Sequence, residues 1–211
     1  MFSGGRDSTI AAVRLAQSRN ALTLVTVTAN HLVGIENVKR RLGEMKRHLP
    51  TETRWIQVEQ PPLPSLESIG QATCLPCQRA YAAVGAIIAL RDDVRNLALG
   101  YAKYQSAWPE QSPEATLRLR RILKGFGLDL ELPVYEIGSK VEAENELDAY
   151  GIPAKASEQK CLRQETNIEI PSALLNQELD RWEKSLAEVI GDGENVELNM
   201  TTQQLSEIPS Q

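Results

Sequence analysis

Two rhythms of apolar residues alternate along this chain. Ile10, Ala11, Val13, Leu15 and Ala16 predict a helix over 8–19, and 22–28 ("LTLVTVT") is a β-rich run. Ile35, Val38, Leu42, Met45 and Leu49 then recur at helical spacing. A second strand is predicted over 53–59 ("TRWIQVE"), followed by a proline-rich connection through Pro61, Pro62 and Pro64. The segment 77–91 reads as a long alanine-rich helix offering Tyr81, Val84, Ile87 and Ile88 for burial. A short buried strand follows at 96–101 ("NLALGY"), then a helix at 114–126. "LELPVYEI" reads as an edge strand interrupted by Pro133, and 139–150 as a helix stopped by Gly151.

Alternation of this kind predicts an α/β fold with a mainly parallel sheet. Ligands of such sheets sit beyond the carboxyl ends of the strands. The division expected is a main domain over 1–169 and a C-terminal extension over 170–211. That extension should hold one amphipathic helix and end in a loose polar tail ("NMTTQQLSEIPSQ"). No internal repeat is visible.

Composition narrows the class. The chain has 211 residues, enough for one domain with a small appendage, and 42% of them are hydrophobic. No apolar run is long enough to span a bilayer, and no secretory signal precedes the first turn. A net charge of −5 gives no general attraction to nucleic acid, although Lys39-Arg40-Arg41 and the group Arg118, Arg120, Arg121 and Lys124 are locally basic. The three cysteines favour a reducing, cytoplasmic setting and thiol chemistry over a disulfide framework.

The chemistry concentrates first at "SGGRDS", residues 3–8, at the start of the first predicted helix. Glycines permit close approach of backbone to a ligand, and a helix N-terminus favours an anion. A loop in which Asp7 or Ser8 merely caps the helix would account for the glycine pair. It would not call for Ser3, Gly4, Gly5, Asp7 and Ser8 together. This string resembles the pyrophosphate-binding loop of the PP-loop ATP pyrophosphatases, Ser-Gly-Gly-x-Asp-Ser, and the resemblance runs in motif order over roughly residues 1–160. It departs from that family in having only Met1 and Phe2 before the loop, so either the first strand is very short or residues precede it.

The resemblance implies a Rossmann-like PP-loop domain (adenine nucleotide alpha-hydrolase-like) that splits ATP to AMP and pyrophosphate, with Mg²⁺, while adenylating a substrate oxygen. It implies phosphate contacts from Ser3, Gly4, Gly5, Arg6, Ser8 and Thr9. Asp7 would be a Mg²⁺ or loop-organising group, and Asp7 and Ser8 would be catalytic. Val27, at the end of the second strand, would cradle adenine. Gly100 matches the glycine that ends the family's fourth strand. Lys140 resembles a phosphate-facing family lysine, which would join Asp7 and Ser8 as catalytic, and is equally readable as an exposed first-turn residue.

Two further stretches point in different directions. "YQSAWPEQSPEA" (104–115) resembles a segment of the 7-cyano-7-deazaguanine synthases. That likeness implies a small heterocyclic substrate held by Tyr104, Trp108, Glu110 and Glu114, in queuosine or 7-deazaguanine biosynthesis. A proline-rich turn capped by Glu114 would look similar. Cys74, Cys77 and the distant Cys161 instead resemble the tRNA 2-thiolases of the same superfamily, whose three cysteines hold a [4Fe–4S] cluster. Zinc, a redox C-x-x-C and inert buried thiols stay open for these residues, and His31 and His48 read as structural or surface side chains. The leading expectation is an AMP-forming ligase acting on a nucleobase. A tRNA thiolation enzyme and a noncatalytic nucleotide-binding regulator are the alternatives, and a homodimer or a partner protein is open.

Overall fold

A computed structural model describes residues 1–61, 73–162 and 169–209. Pro62 and Pro64 of the expected proline-rich connection lie outside the described residues. The first half runs α1 (Arg6–Ala16), β1 (Thr23–Thr28), β2 (Leu32–Val33), α2 (Ile35–Met45), β3 (Arg54–Glu59) and α3 (Leu75–Arg91). The second runs β4 (Asn96–Ala98), α4 (Pro113–Gly125), β5 (Asp129–Glu131), α5 (Lys140–Ala149), β6 (Lys160–Cys161), α6 (Ser172–Gly191) and β7 (Met200–Gln204).

The chain is a mixed α/β protein with small sheets. β1 pairs in parallel with β3, from Thr23 opposite Arg54 to Thr28 opposite Glu59. β4 and β5 are also parallel, whereas β7 runs antiparallel on the far side of β3, and β2 antiparallel to β6. Met1 and Phe2 occupy the space between the two parallel pairs. The Phe2 N–H donates to Val25 O at 2.7 Å and the Met1 amino group to Ala98 O at 2.6 Å. Across the molecule the order is therefore β7, β3, β1, residues 1–2, β4, β5.

Helices cover both faces. Alternation along the strands sends Leu24 and Trp55 to one side, where Ile10, Val13, Leu42 and Leu147 of α1, α2 and α5 bury them. Val25, Val27, Ile56 and Val58 point the other way, onto Val84 and Ile88 of α3. α3 is buried almost all round, which its run of alanines permits, because α6 packs outside it, with α4 against α6. The predicted C-terminal helix thus shares one apolar cluster with α3 and α4, through Leu179, Trp182, Leu186 and Ile190. The tail expected to be loose is the edge strand β7, pinned by buried Leu205 and Ile208.

A buried chain of hydrogen bonds fixes where the first residues leave the sheet. Trp55 Nε1 donates to Thr26 Oγ1 at 2.8 Å, and Thr26 Oγ1 donates to Phe2 O at 2.7 Å. Ser3 begins the turn into α1 immediately beyond.

Candidate functional site

Residues 3–5 turn the chain from Phe2 into α1. Gly4 has φ +80°, and a Cβ there would stand 2.9 Å from Ser157 O. Gly5 is the N-cap of α1 and no side chain caps the helix. Asp7 and Ser8 instead sit inside its first turn. The hydroxyls tie the turn to itself: Ser8 Oγ lies 3.0 Å from Ser3 Oγ, and Thr9 Oγ1 donates to Gly5 O at 2.7 Å. Backbone N–H groups at this helix start, aligned with the positive end of the dipole, form an anion-compatible cradle.

Three contacts hold that cradle from outside. The chain just beyond β4 presses against it at Gly100, where a Cβ would stand 2.6 Å from both Ser8 Cα and Ser8 N. Only a residue without a side chain fits. The Tyr104 hydroxyl reaches Asp7, 2.9 Å from Oδ1 and 2.8 Å from Oδ2. Burial raises the pKa of Asp7, against the opposing effects of the Tyr104 hydrogen bond and the Arg6 charge. Burial, then the neighbouring Asp7, raises that of Tyr104. The segment 153–159 forms the third wall. The Ser157 N–H donates to Gly4 O at 3.2 Å, Gln159 Nε2 to Val27 O at 2.9 Å, and buried Arg41 holds the carbonyls of Pro153 and Lys155.

These walls enclose a cavity of about 440 Å³. Ser3, Gly5, Arg6, Asp7 and Ser8 line it, with Val27 and Gly100 beside them. Trp108 lines it too, as do Tyr81, Tyr101 and Gln105, so aromatic surface and amide groups share a space with the cradle. Gly4 and Thr9 shape the turn from behind. Glu110 is buried beside the cavity, where its charge raises the pKa of Tyr101 after the larger effect of burial. Two expected residues lie elsewhere. Lys140 is exposed at the first turn of α5 and faces Glu144 at 3.5 Å. Glu114 accepts a hydrogen bond from Arg118 at 2.8 Å on the surface of α4.

The cysteines reach the same cavity from its other side. Cys74 is the N-cap of α3 and Cys77 lies in its first turn, while the pairing of β6 with β2 sets Cys161 opposite Leu32. All three line the cavity. Tyr81 registers all three: burial raises its pKa most, followed by the charges of Cys77, Cys74 and Cys161. Among the described residues, no group of three or more His, Cys, Asp and Glu is gathered as a ready metal-binding set. In kind, three thiols match the donors that iron–sulfur clusters and zinc prefer.

Sequence reasoning missed three residues here. Glu158 Oε2 overhangs the loop, 3.1 Å from where a Gly5 Cβ would be, and Gln159 closes on β1. His31 Nε2 lies 3.5 Å from Cys77 Sγ. No local motif marks them, because each arrives through a contact between distant segments.

A second cavity of about 450 Å³ lies between β1, β4 and α1, on the far side of Met1. Its walls are mainly apolar, including Leu24, Ile88 and Leu97, and of its charged lining residues Arg19 pairs with Glu131 and Arg54 with Asp92. The basic clusters are largely engaged within the chain. Arg41 is buried, Arg118 meets Glu114, Asp180 and Glu183, and Arg121 meets Glu183. Among the described residues no helix is long and apolar enough to cross a membrane. No family model matches the chain, and no curated protein sequence matches it significantly.

Proposed function

We propose that this chain is a PP-loop ATP pyrophosphatase with a Rossmann-like domain, which activates a nucleobase-type substrate by AMP-forming adenylation. One observation carries the reading: the whole Ser3–Ser8 signature forms an uncapped helix start that opens into the cavity lined by Trp108. Its position beyond parallel strands is where ligands of α/β sheets bind.

In this reading the backbone N–H groups of the first turn, with Ser3 and Ser8, hold the pyrophosphate as its charge grows on leaving. Donors already in place for that charge lower the barrier without reorganising. Gly100 keeps β4 close enough to brace them. Asp7 would hold Mg²⁺, which supplies neutralising charge between phosphates and needs few protein carboxylates. Tyr104 orients Asp7 through both carboxylate oxygens. Trp108 offers a flat apolar face to a heterocycle.

Incubation with ATP and a free deazaguanine-type carboxylate should release AMP and pyrophosphate in equal amounts. ADP and phosphate would refute the reaction class. Nucleotide binding with no substrate-dependent pyrophosphate release would favour a regulator. A second reading, tRNA thiolation, draws on the three cysteines that share the cavity with the loop. It takes precedence if turnover requires tRNA and is lost on replacing any one of those cysteines.

A further inference from the structure

We propose that His31 joins Cys74, Cys77 and Cys161 as the fourth ligand of a closed, thiolate-rich metal site, and that the ion it takes is zinc. The thiolase resemblance leaves His31 out and one iron open. This inference changes the donor count, and it stands whether or not the loop hydrolyses ATP.

Three observations converge on His31. Its Nε2 lies 3.5 Å from Cys77 Sγ. The Leu162 N–H donates to His31 O at 2.8 Å, and Leu32 sits opposite Cys161, so the same short ladder carries the imidazole and the distant thiol. The three cysteines line one cavity. Three separate segments, 31–32, 74–77 and 160–161, thereby bring three thiols to the wall of one cavity and an imidazole nitrogen to Cys77, although the four are not gathered as a ready set. Of these donors Cys77 and His31 are already adjacent, and closing the set around zinc would require Cys74 and Cys161 to turn toward that pair. Zinc is the ion that commonly closes a Cys₃His set with four protein ligands and no open position. Such a clamp ties β2, the start of α3 and β6 together around the cavity.

The test is metal analysis of the full chain purified anaerobically, with acid-labile sulfide measured alongside, followed by exchange of Co²⁺ into the site. The expected result is one zinc per chain, no sulfide, and a cobalt form with tetrahedral d–d and sulfur-to-cobalt absorption bands. His31→Ala should weaken zinc binding by about a hundredfold, the upper end of what even an outer-shell partner costs. His31→Cys should restore tight binding and so separates loss of a ligand from loss of fold. Iron with stoichiometric sulfide, retained in His31→Ala, would overturn the proposal. So would a chain that takes up no metal while all its thiols react freely.

Discussion

The Tyr104 hydroxyl bridges both carboxylate oxygens of Asp7, at 2.9 and 2.8 Å, across almost a hundred residues of chain. A phenol committed in this way positions the acid and shields it from water. Replacing it by Tyr104→Phe should cost about 1.5–3 kcal/mol, the usual range for a hydrogen bond to a charged group. Thermal melting would measure the cost. Binding of Mg²⁺–ATP should fall by a larger factor than that of metal-free ATP, and equal losses would detach Tyr104 from the metal.

Asp7 itself gives a pH test. Its pKa is raised in the folded chain, chiefly by burial, so between its ordinary and raised values the native state binds more protons than the unfolded one. Stability therefore falls as pH rises through that window. Asp7→Asn should remove this part of the pH dependence and leave the fold equally or more stable at neutral pH, while pyrophosphate release collapses. Loss of stability in Asp7→Asn at pH 7 would contradict the assignment.

Gly100 and Gly125 make a paired experiment. A Cβ at Gly100 meets the Ser8 backbone at 2.6 Å, whereas one at Gly125 meets nothing within 4 Å. Gly100→Ala should destabilise by roughly 1–3 kcal/mol through overpacking and displace the loop from its ligand. Gly125→Ala, at the end of α4, should stabilise by about 0.5–1 kcal/mol. Melting temperatures and nucleotide titrations of both variants check the contrast.

β7 supplies a test of register. The Glu59 N–H donates to Asn199 O and the Leu205 N–H to Thr53 O. Alternation in an antiparallel ladder then makes Trp55 and Gln203 a hydrogen-bonded pair and turns the Thr202 N–H outward. Gln203→Pro should cost roughly 1–3 kcal/mol by orphaning the Trp55 carbonyl, and Thr202→Pro distinctly less. Similar losses in urea unfolding would mean that the pairing is shifted by one residue.

The same strand marks where legibility ended. The core elements could be read because Leu24, Val25, Val27, Trp55, Ile56 and Val58 carry their burial in their side chains. β7 has the sequence MTTQQ and is largely exposed; its stability comes from backbone pairing, which leaves no periodic trace. Met1 and Phe2, readable as a very short first strand, form no regular strand, yet they join both parallel pairs. At the site, the loop was legible because its chemistry is contiguous in sequence. Trp108 lines the same cavity as the loop. Lys140 and Glu114, expected there from the family resemblances, pair with Glu144 and Arg118 on the surface. His31, Glu158 and Gln159 are brought in by contacts spanning much of the chain, which no local pattern encodes.

The contact between Gly100 and Ser8 joins main chain to main chain. Its geometry is therefore indifferent to which side chains face the cavity. Trp108 and the cysteines line the cavity but do not set the distance between Gly100 and Ser8. The part that would grip phosphate is thus mechanically separate from the part that would choose a substrate. Under the proposed function, such a frame could change what is modified while keeping one way of using ATP.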